Sequence, residues 1–357
     1  MITTLNSSLE RFTRFIAPAQ YLFKEFYPLH ARALLLVSLA AIFSSALNAS
    51  AYLGLTPLIN HAIYSSTSLV YGPIVLAATP LTIAGALAIV LLLVVGSLHL
   101  NFIVYNMALE IMRKTVAEAS VRGVVALHKH PGSLNLSGAI KEVVGSTAYG
   151  CGFTMRQTAL GLSLLLQLLI FLLVLIWLNP AITTAVIVAT AIGGWIFSHS
   201  VNKIVTASTD NKTLSAIVNN EYRSLSEQLC DSNLTEEEVK KCISSLYRNG
   251  AIGQQLDTKL NMRRQKRLGP QRLKYLFPIT LIMVPMLAML TGDLQHHASE
   301  IIIYMVLLRI QIGLLTQLAS LFISTAKFQT SLLCYNDLRT GKSYPDCLKK
   351  SATTDTD

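Results

Sequence analysis

The sequence predicts an all-α, polytopic membrane protein whose six transmembrane helices form three hairpins with long cytoplasmic extensions. Only 13% of its 357 residues are charged, whereas 52% are hydrophobic, and a soluble domain carries about twice that share of charge. The charges are also clustered. The 77 residues between Arg32 and Glu110, and the 46 between Arg156 and Lys203, contain no Lys, Arg, Asp or Glu. Because a helix needs about 20 apolar residues to cross a bilayer, each gap is long enough for two crossings.

The last two crossings come from the C-terminal third of the chain. Residues 275–292 are uncharged, and residues 301–326 contain Arg309 as their only charge. The apolar runs at 86–96 and 162–177 do not alternate apolar and polar residues, as transmembrane β-strands would, so the crossings are helical. We place the six crossings at 33–59, 81–108, 157–178, 181–201, 274–292 and 301–325.

The distribution of basic residues predicts the orientation. The three outer connections, at 60–80, 179–180 and 293–300, contain no Lys or Arg, so all 29 basic residues lie elsewhere. By the positive-inside rule, both termini then face the cytoplasm. The net charge of +10 therefore marks orientation rather than binding to nucleic acid. We expect a multi-pass protein of a bacterial inner membrane.

The segments outside the crossings divide the chain further. Residues 1–30 carry aromatic side chains among scattered charges, which predicts an amphipathic segment at the membrane interface. Residues 31–330 form the six-helix domain, and 331–357 a short cytoplasmic tail. The cytoplasmic segments 109–156 and 202–273 keep a helical period, so we expect the membrane helices to continue as paired arms about 30 Å long.

Breaks and cysteines mark the arms. Pro131-Gly132 interrupts the first arm, while a capping box at Thr235 and a stop at Asn249-Gly250 bound a helix in the second. The five cysteines show no CxxC spacing and lie on the predicted cytoplasmic side, where thiols stay reduced. We therefore expect free thiols.

The sequence contains only weak candidates for a nucleotide-binding, metal-binding or catalytic motif. The Gly-Lys-Ser triplet at 341–343 resembles the end of a phosphate-binding loop, but position 336 is Asn rather than Gly, and the surrounding strand and helix are missing. His128 and His130 have no nearby Cys or acidic cluster, which disfavours a metal site. No nucleophile, histidine and acid stand out together. We expect neither a catalytic nor a metal site.

Arg309 is the most informative charge. It lies nine residues after Glu300, which places it about 13 Å deep, near the midplane of the membrane. A central Arg costs about 3 kcal/mol on insertion scales, which the surrounding apolar residues offset. The other crossings contain no Asp or Glu, so a wet cavity or backbone carbonyls must satisfy the charge, and we favour the cavity. We expect a substrate pathway lined by Arg309, Gln311, Gln317, Gln167, Asn48 and Asn101, with His99 and Asn106 as further neutral partners.

Six helices with long arms and two cytoplasmic tips resemble the transmembrane domain of ABC exporters over about residues 30–340. The run 109–147 looks like that family's second helix and first coupling helix. "IVNNEYRSLSEQL" (217–229) stands where the second coupling helix would fall, and 312–341 resembles the end of the sixth helix. The sixth helix of that family usually contains a proline, and in this sequence Leu314 and Leu315 stand near its place.

The resemblance implies a permease subunit of an ATP-driven transporter, most simply an exporter. Its partners would be the lipid bilayer, a second copy or paralogue of the chain, and a separate ATP-binding subunit. ATP and Mg²⁺ would bind to that subunit, since this chain shows no ATPase domain and is expected to hold no cofactor itself. The expected docking tips are His130, Pro131, Gly132, Ser137, Gly138, Asn219, Asn220, Glu221 and Tyr222.

Two other functions stay open. An exporter-like homodimer that imports peptides with protons needs a titratable relay, for which His99 and Glu300 are the candidates. A non-transporting scaffold would use the arms to bind a partner, although Arg309 and two nearby glutamines in one crossing argue against it.

Overall fold

A computed structural model of the chain describes residues 2–129, 136–180, 250–274 and 298–340, with scattered positions between 183 and 246. Most of these residues are helical. The elements with described bounds are α1 (Ile2–Gly54), α2 (Thr56–Tyr64), β1 (Ser68–Tyr71), β2 (Ile74–Ala77), α3 (Pro80–Lys129), α4 (Leu136–Glu142), a π-helical segment (Val143–Thr147), α5 (Ala148–Leu178), α6 (Ala251–Lys274), α7 (Ala298–Ala326) and α8 (Gln329–Thr340).

Within the described residues, four helical stretches are long and apolar enough to cross a membrane. They are Ala17–Tyr64, Pro80–His128, Ala139–Leu178 and Ile301–Ala326. These stretches contain the first, second, third and sixth predicted crossings. The prediction of helices able to span a membrane is therefore confirmed at these four positions. The predicted crossings at 181–201 and 274–292 lie almost entirely outside the described residues and stay predictions.

The helices are much longer than a membrane crossing needs. At 1.5 Å per residue, the 50 residues of α3 extend for about 75 Å, against a hydrocarbon core of about 30 Å. Its first part is apolar, and its charges begin at Glu110. Helix α1 is likewise continuous, with Pro18 and Pro28 inside it. Residues 2–30 and the first predicted crossing thus belong to one helix.

A third long helical stretch runs from Leu136 to Leu178 through α4, the π-helical segment and α5. It ends where the sequence predicts a turn at Asn179-Pro180. Asn179 is extended, and its N–H donates to the carbonyl of Leu175. The hydroxyl of Thr183 donates to the same carbonyl at 2.8 Å.

The connection 60–80 contains a β-hairpin that the all-α prediction missed. Strands β1 and β2 pair antiparallel from Ser68↔Ala77 to Tyr71↔Ile74. The turn begins at Gly72, whose φ of +60° suits glycine, which lacks a Cβ. Leu69 is fully buried, whereas all four β2 residues are exposed.

The described helices pack around α5. Helices α1, α3 and α7 all contact α5, α1 also packs on α3, and α6 packs on α7. The approach of α3 to α5 is very close, because a Cβ built on Gly152 would lie 2.3 Å from Val116 Cγ2 and 2.8 Å from the Met112 carbonyl oxygen. Small residues of this kind let two helix backbones come together in membrane proteins.

Candidate functional site

Three polar residues on α3 stand at four-residue intervals and therefore lie along one face of the helix. They are Ser97, Asn101 and Tyr105, and each one contacts a polar side chain on α1 or α5. We call these three contacts the polar ladder. It consists of Ser44 with Ser97, Gln167 with Asn101, and Arg156 with Tyr105.

Two contacts of the polar ladder, Ser44 with Ser97 and Gln167 with Asn101, are uncharged. The hydroxyl oxygens of Ser44 and Ser97 lie 3.0 Å apart, and Ser44 also reaches the Ser97 carbonyl at 3.1 Å. The amide of Gln167 donates to Asn101 Oδ1 at 2.9 Å. Both serines and Gln167 are buried. Neutral hydrogen bonds of this kind satisfy polar groups where an ion would be costly.

The third contact of the polar ladder carries a charge. Arg156 Nη2 donates to the Tyr105 hydroxyl at 3.0 Å, and the guanidinium lies 5.1 Å from the centre of the same ring. The ring face attracts the cation, in addition to the hydrogen bond. Glu110 follows little more than one turn along α3. The ladder thus changes from neutral to charged contacts where the apolar stretch of α3 ends.

The expected pathway residues are only partly brought together. Asn101 and Gln167 are hydrogen-bonded, and Asn48 is half-buried on α1. Gln311 is buried on the face of α7 that packs on α5, and its Oε1 has no hydrogen-bond partner among the described residues.

Arg309 lies on a different face of α7. Together with Gly313 and Gln317 it is exposed, and the four-residue spacing places these residues along one side of the helix. Gln311, two residues from Arg309, points about 160° away from that side. A pathway lined by both Arg309 and Gln311 would therefore have to reach two sides of α7, and the lining stays a prediction. His99 and Asn106, on α3, are exposed as well.

The described part of the predicted docking tips includes one clear structural contact. Glu221 accepts from the backbone N–H groups of Ala251 at 2.7 Å and Ile252 at 3.0 Å, so its carboxylate caps the first turn of α6. Gly250 leaves room for this carboxylate, because a Cβ there would lie 3.2 Å from Glu221 Oε1, and it would also lie 2.6 Å from the Leu246 carbonyl oxygen. The predicted stop at Asn249-Gly250 matches the bend at Gly250.

The other tip residues are less informative. Asn220 is helical and exposed, and Ser137 and Gly138 lie in α4. His130, Pro131, Gly132, Asn219 and Tyr222 lie outside the described residues. Docking at these tips stays a prediction, while Glu221 already has a role within the chain.

Among the described residues, the charged contact with the most partners is centred on Glu25, which the sequence does not single out. Glu25 Oε1, on α1, accepts from Arg122 Nη1 at 3.0 Å, Arg339 Nε at 3.0 Å and the Tyr335 hydroxyl at 3.1 Å. Arg122 also donates through Nε to Glu118 at 2.7 Å. We call these five residues the arm cluster. It joins α1, α3 and α8, whose contributing residues are up to 314 positions apart.

Burial makes the arm cluster more than a surface ion pair. The Glu25 side chain is only 11% exposed, whereas Arg122 and Arg339 are 31% and 33% exposed. The Arg122 guanidinium also lies 5.2 Å from the centre of the Phe26 ring. Burial raises the pKa of the Tyr335 phenol, and the Glu25 carboxylate raises it further, so the phenol remains a hydrogen-bond donor.

A neighbouring contact extends the polar part of α1 and α3. His30 and Thr115 are both buried, and His30 Nε2 lies 2.9 Å from the Thr115 hydroxyl oxygen. The threonine hydroxyl donates to the Ile111 carbonyl at 2.8 Å, so its oxygen accepts from His30 Nε2, which carries the proton in this contact.

Two local signals point towards the arm cluster in the sequence. Glu118 and Arg122 are four residues apart, as are Tyr335 and Arg339, and such pairs share one face of a helix. Neither signal connects α8 to Glu25, because that contact depends on how the helices pack.

The expectation of free thiols is wrong at one position. Cys334, on α8, is disulfide-bonded, and its partner lies outside the described residues. Cys151 is a free, fully buried thiol. Among the described residues, no three His, Cys, Asp or Glu side chains come together to hold a metal ion.

Comparisons with known proteins do not assign the chain to a family. No model of a protein family matches the chain, and no curated protein matches it.

Proposed function

We propose that the chain is the membrane-spanning permease subunit of an ATP-driven ABC-type transporter, working as an exporter with a separate ATP-binding subunit. The observation that carries this proposal is the length of the helices. Helix α3 continues without a break from its apolar half through charged residues to Lys129. A helix of that length can transmit a movement from a tip to the membrane.

The packing of the arms supports the same proposal. Beyond the apolar stretches, α1, α3 and α5 stay together through a buried cluster that includes Leu22, Phe26, Ile111 and Met155. The arm cluster adds a charged contact at its edge. Arms held in this way would move as one body, as docking to a motor subunit requires.

The substrate step is proposed for α7. Arg309, on its exposed face, would bind an anionic or carboxylate-bearing group of the cargo, with Gln317 two turns further along the same side. A second copy or paralogue of the chain would complete the cavity. Because a guanidinium presents five donors in a fixed fork, replacement by a neutral amide should weaken cargo binding specifically.

The first experiment is to purify the full chain from its native membrane and identify what co-purifies, then measure ATP hydrolysis. We expect a stoichiometric ATP-binding subunit. Gly138→Asp and Asn220→Arg, at the tips, should lower its recovery at least about tenfold. The matched control is Arg113→Gln, an 84% exposed side chain on α3, which should leave recovery unchanged.

Other outcomes favour the alternatives. A pure homodimer without an ATP-binding subunit, with flux that follows a proton gradient, would replace the proposal with proton coupling. A chain that moves no cargo under either condition would be a scaffold. In cells, Arg309→Gln should reduce the set of small molecules and peptides released, as measured by mass spectrometry, while the ATP-binding subunit still co-purifies.

A further inference from the structure

Helix α8 continues along the arms after a two-residue turn. α7 ends at Ala326 and α8 begins at Gln329, with the N–H of Phe328 bonded to the Thr325 carbonyl at 2.9 Å. α8 contacts α1, α3, α5 and the π-helical segment. Its 12 residues are too few for a stable isolated helix in water, so its structure depends on these contacts.

The first half of α8 docks through apolar contacts. Leu332 and Tyr335 are buried in the same cluster as Leu22, Phe26 and Cys151. The helix lies directly on Gly150, where a Cβ would come within 2.7 Å of Ser331 Cβ. Cys151 is fully buried in this contact, so its exposure reports whether α8 is in place.

The second half of α8 adds charged contacts to apolar ones, since Leu338 packs against Leu127 and Val143. Arg339 donates to Glu25 Oε1, the same oxygen that accepts from Arg122 and from Tyr335. The other oxygen, Oε2, is buried and has no hydrogen-bond partner among the described residues. A buried carboxylate oxygen without a donor raises the free energy of the docked arrangement.

The contacts of Glu25 also limit the cost of releasing α8. When Arg339 and Tyr335 leave, Glu25 keeps its ion pair with Arg122, and Arg122 keeps Glu118. Within the arm cluster, Glu25 is then not left without an ionic partner. Arg339 is one-third exposed, so water can replace its contact, and salt weakens it.

We propose that α8 is a releasable strap: docked through Glu25 and Arg339 it fastens α1 to α3 and α5, and detached it lets the arm helices move apart. This inference depends on the arm cluster and not on the proposed transport function. A scaffold with the same arms would have the same strap.

The test measures how fast N-ethylmaleimide modifies Cys151 in the purified full chain, read on the Cys151 peptide by mass spectrometry. The Cys334 disulfide is kept oxidised in every sample. Arg339→Gln and Glu25→Gln should each raise the rate about tenfold or more, because both loosen the same contact. The double variant should stay within about twofold of the faster single variant, since coupled residues are not additive.

Two controls separate strap release from unfolding. Arg113→Gln removes an exposed charge from the same arm and should stay within about twofold of the unaltered rate. A reporter at Ala49→Cys, in the cluster of α5 and α7, should remain protected in every variant. Raising the NaCl concentration should speed modification of Cys151 in the unaltered chain but not in Arg339→Gln.

Two results would overturn the proposal. If Arg339→Gln leaves the Cys151 rate within twofold of the unaltered chain, α8 is a permanent part of the fold. If the reporter at position 49 becomes reactive together with Cys151, the chain opens as a whole and α8 is not separately releasable.

Discussion

The polar ladder and the arm cluster both connect α3 to its neighbours, but they use different chemistry. In the ladder, Ser97 and Asn101 make neutral hydrogen bonds to buried side chains. In the arm cluster, Glu25 binds two arginines that are about one-third exposed. A charge is costly in the apolar part of a bilayer, whereas at the arms one side of each arginine reaches water. The change on α3 between Tyr105 and Glu110 therefore coincides with the end of its apolar stretch.

The largest expected effect comes from the contact between α3 and α5 that lies, along α3, between the two regions. Gly152→Leu places atoms against Val116 and the Met112 carbonyl, where a Cβ alone would lie 2.3 and 2.8 Å away. The helices must move apart, so we expect a loss of about 3 kcal/mol or more in the free energy of unfolding. Thermal unfolding of the purified protein in detergent measures it.

The matched control is Gly161→Ala, whose Cβ would meet only Leu318 Cδ1 at 3.9 Å. It should be neutral or slightly stabilising, because alanine favours the helix over glycine. Equal melting temperatures for Gly152→Leu and Gly161→Ala would mean that α3 and α5 do not approach closely at Gly152.

The next effect tests the charged region alone. Glu25→Gln removes the charge that three donors share, and we expect a loss of about 2 kcal/mol, allowing for the partial exposure of both arginines. Glu110→Gln, in an exposed ion pair with Arg113 and Lys114, should cost about 0.5 kcal/mol or less. If both changes cost the same, the arm cluster is no more than a surface ion pair.

A smaller effect is expected in the neutral region. Asn101→Leu and Gln167→Leu, alone and together, form a double-mutant cycle across the 2.9 Å hydrogen bond. The coupling free energy should be about 0.6 kcal/mol, which is typical of hydrogen bonds between membrane helices. Unfolding in mixed detergent measures it, and strictly additive losses would show that this hydrogen bond contributes nothing.

The smallest effect lies outside both regions, in the β-hairpin. Gly72→Ala forces a side chain into the left-handed backbone region at φ +60°, at a cost of about 1 kcal/mol. Amide hydrogen exchange in 69–76 should become about fivefold faster, while exchange in α3 and α5 stays unchanged. Unchanged exchange in the hairpin would exclude strain at Gly72.

The sequence predicts some of these features well and others not at all. Long uncharged runs predict the spans of α3 and α5, and Asn179-Pro180 predicts the end of α5, because these signals are local. The hairpin lies in the connection 60–80, and its two strands of four residues each are too short to give a clear alternating pattern. The arm cluster depends on Glu25 meeting Arg339 across most of the chain, which no periodicity encodes.

Local sequence signals are least able to predict which residues line the expected substrate pathway. Asn101 and Gln167 were selected as polar residues in apolar crossings, and packing brings these two together. Arg309 and Gln311 were selected on the same ground but lie on different faces of α7. Composition identifies polar residues in a membrane helix, whereas helix rotation decides which of them share a surface.

The proposed function requires that the arms lie on the side of the membrane where ATP is present. The most direct test labels single added cysteines in intact spheroplasts with a membrane-impermeant maleimide, read peptide by peptide. Val75→Cys, on a hairpin residue that is 64% exposed, should react in intact spheroplasts. Arg113→Cys, on the arm, should react only after permeabilisation. The reverse pattern would place the arms outside, beyond the reach of an ATP-binding subunit, and would contradict the proposal.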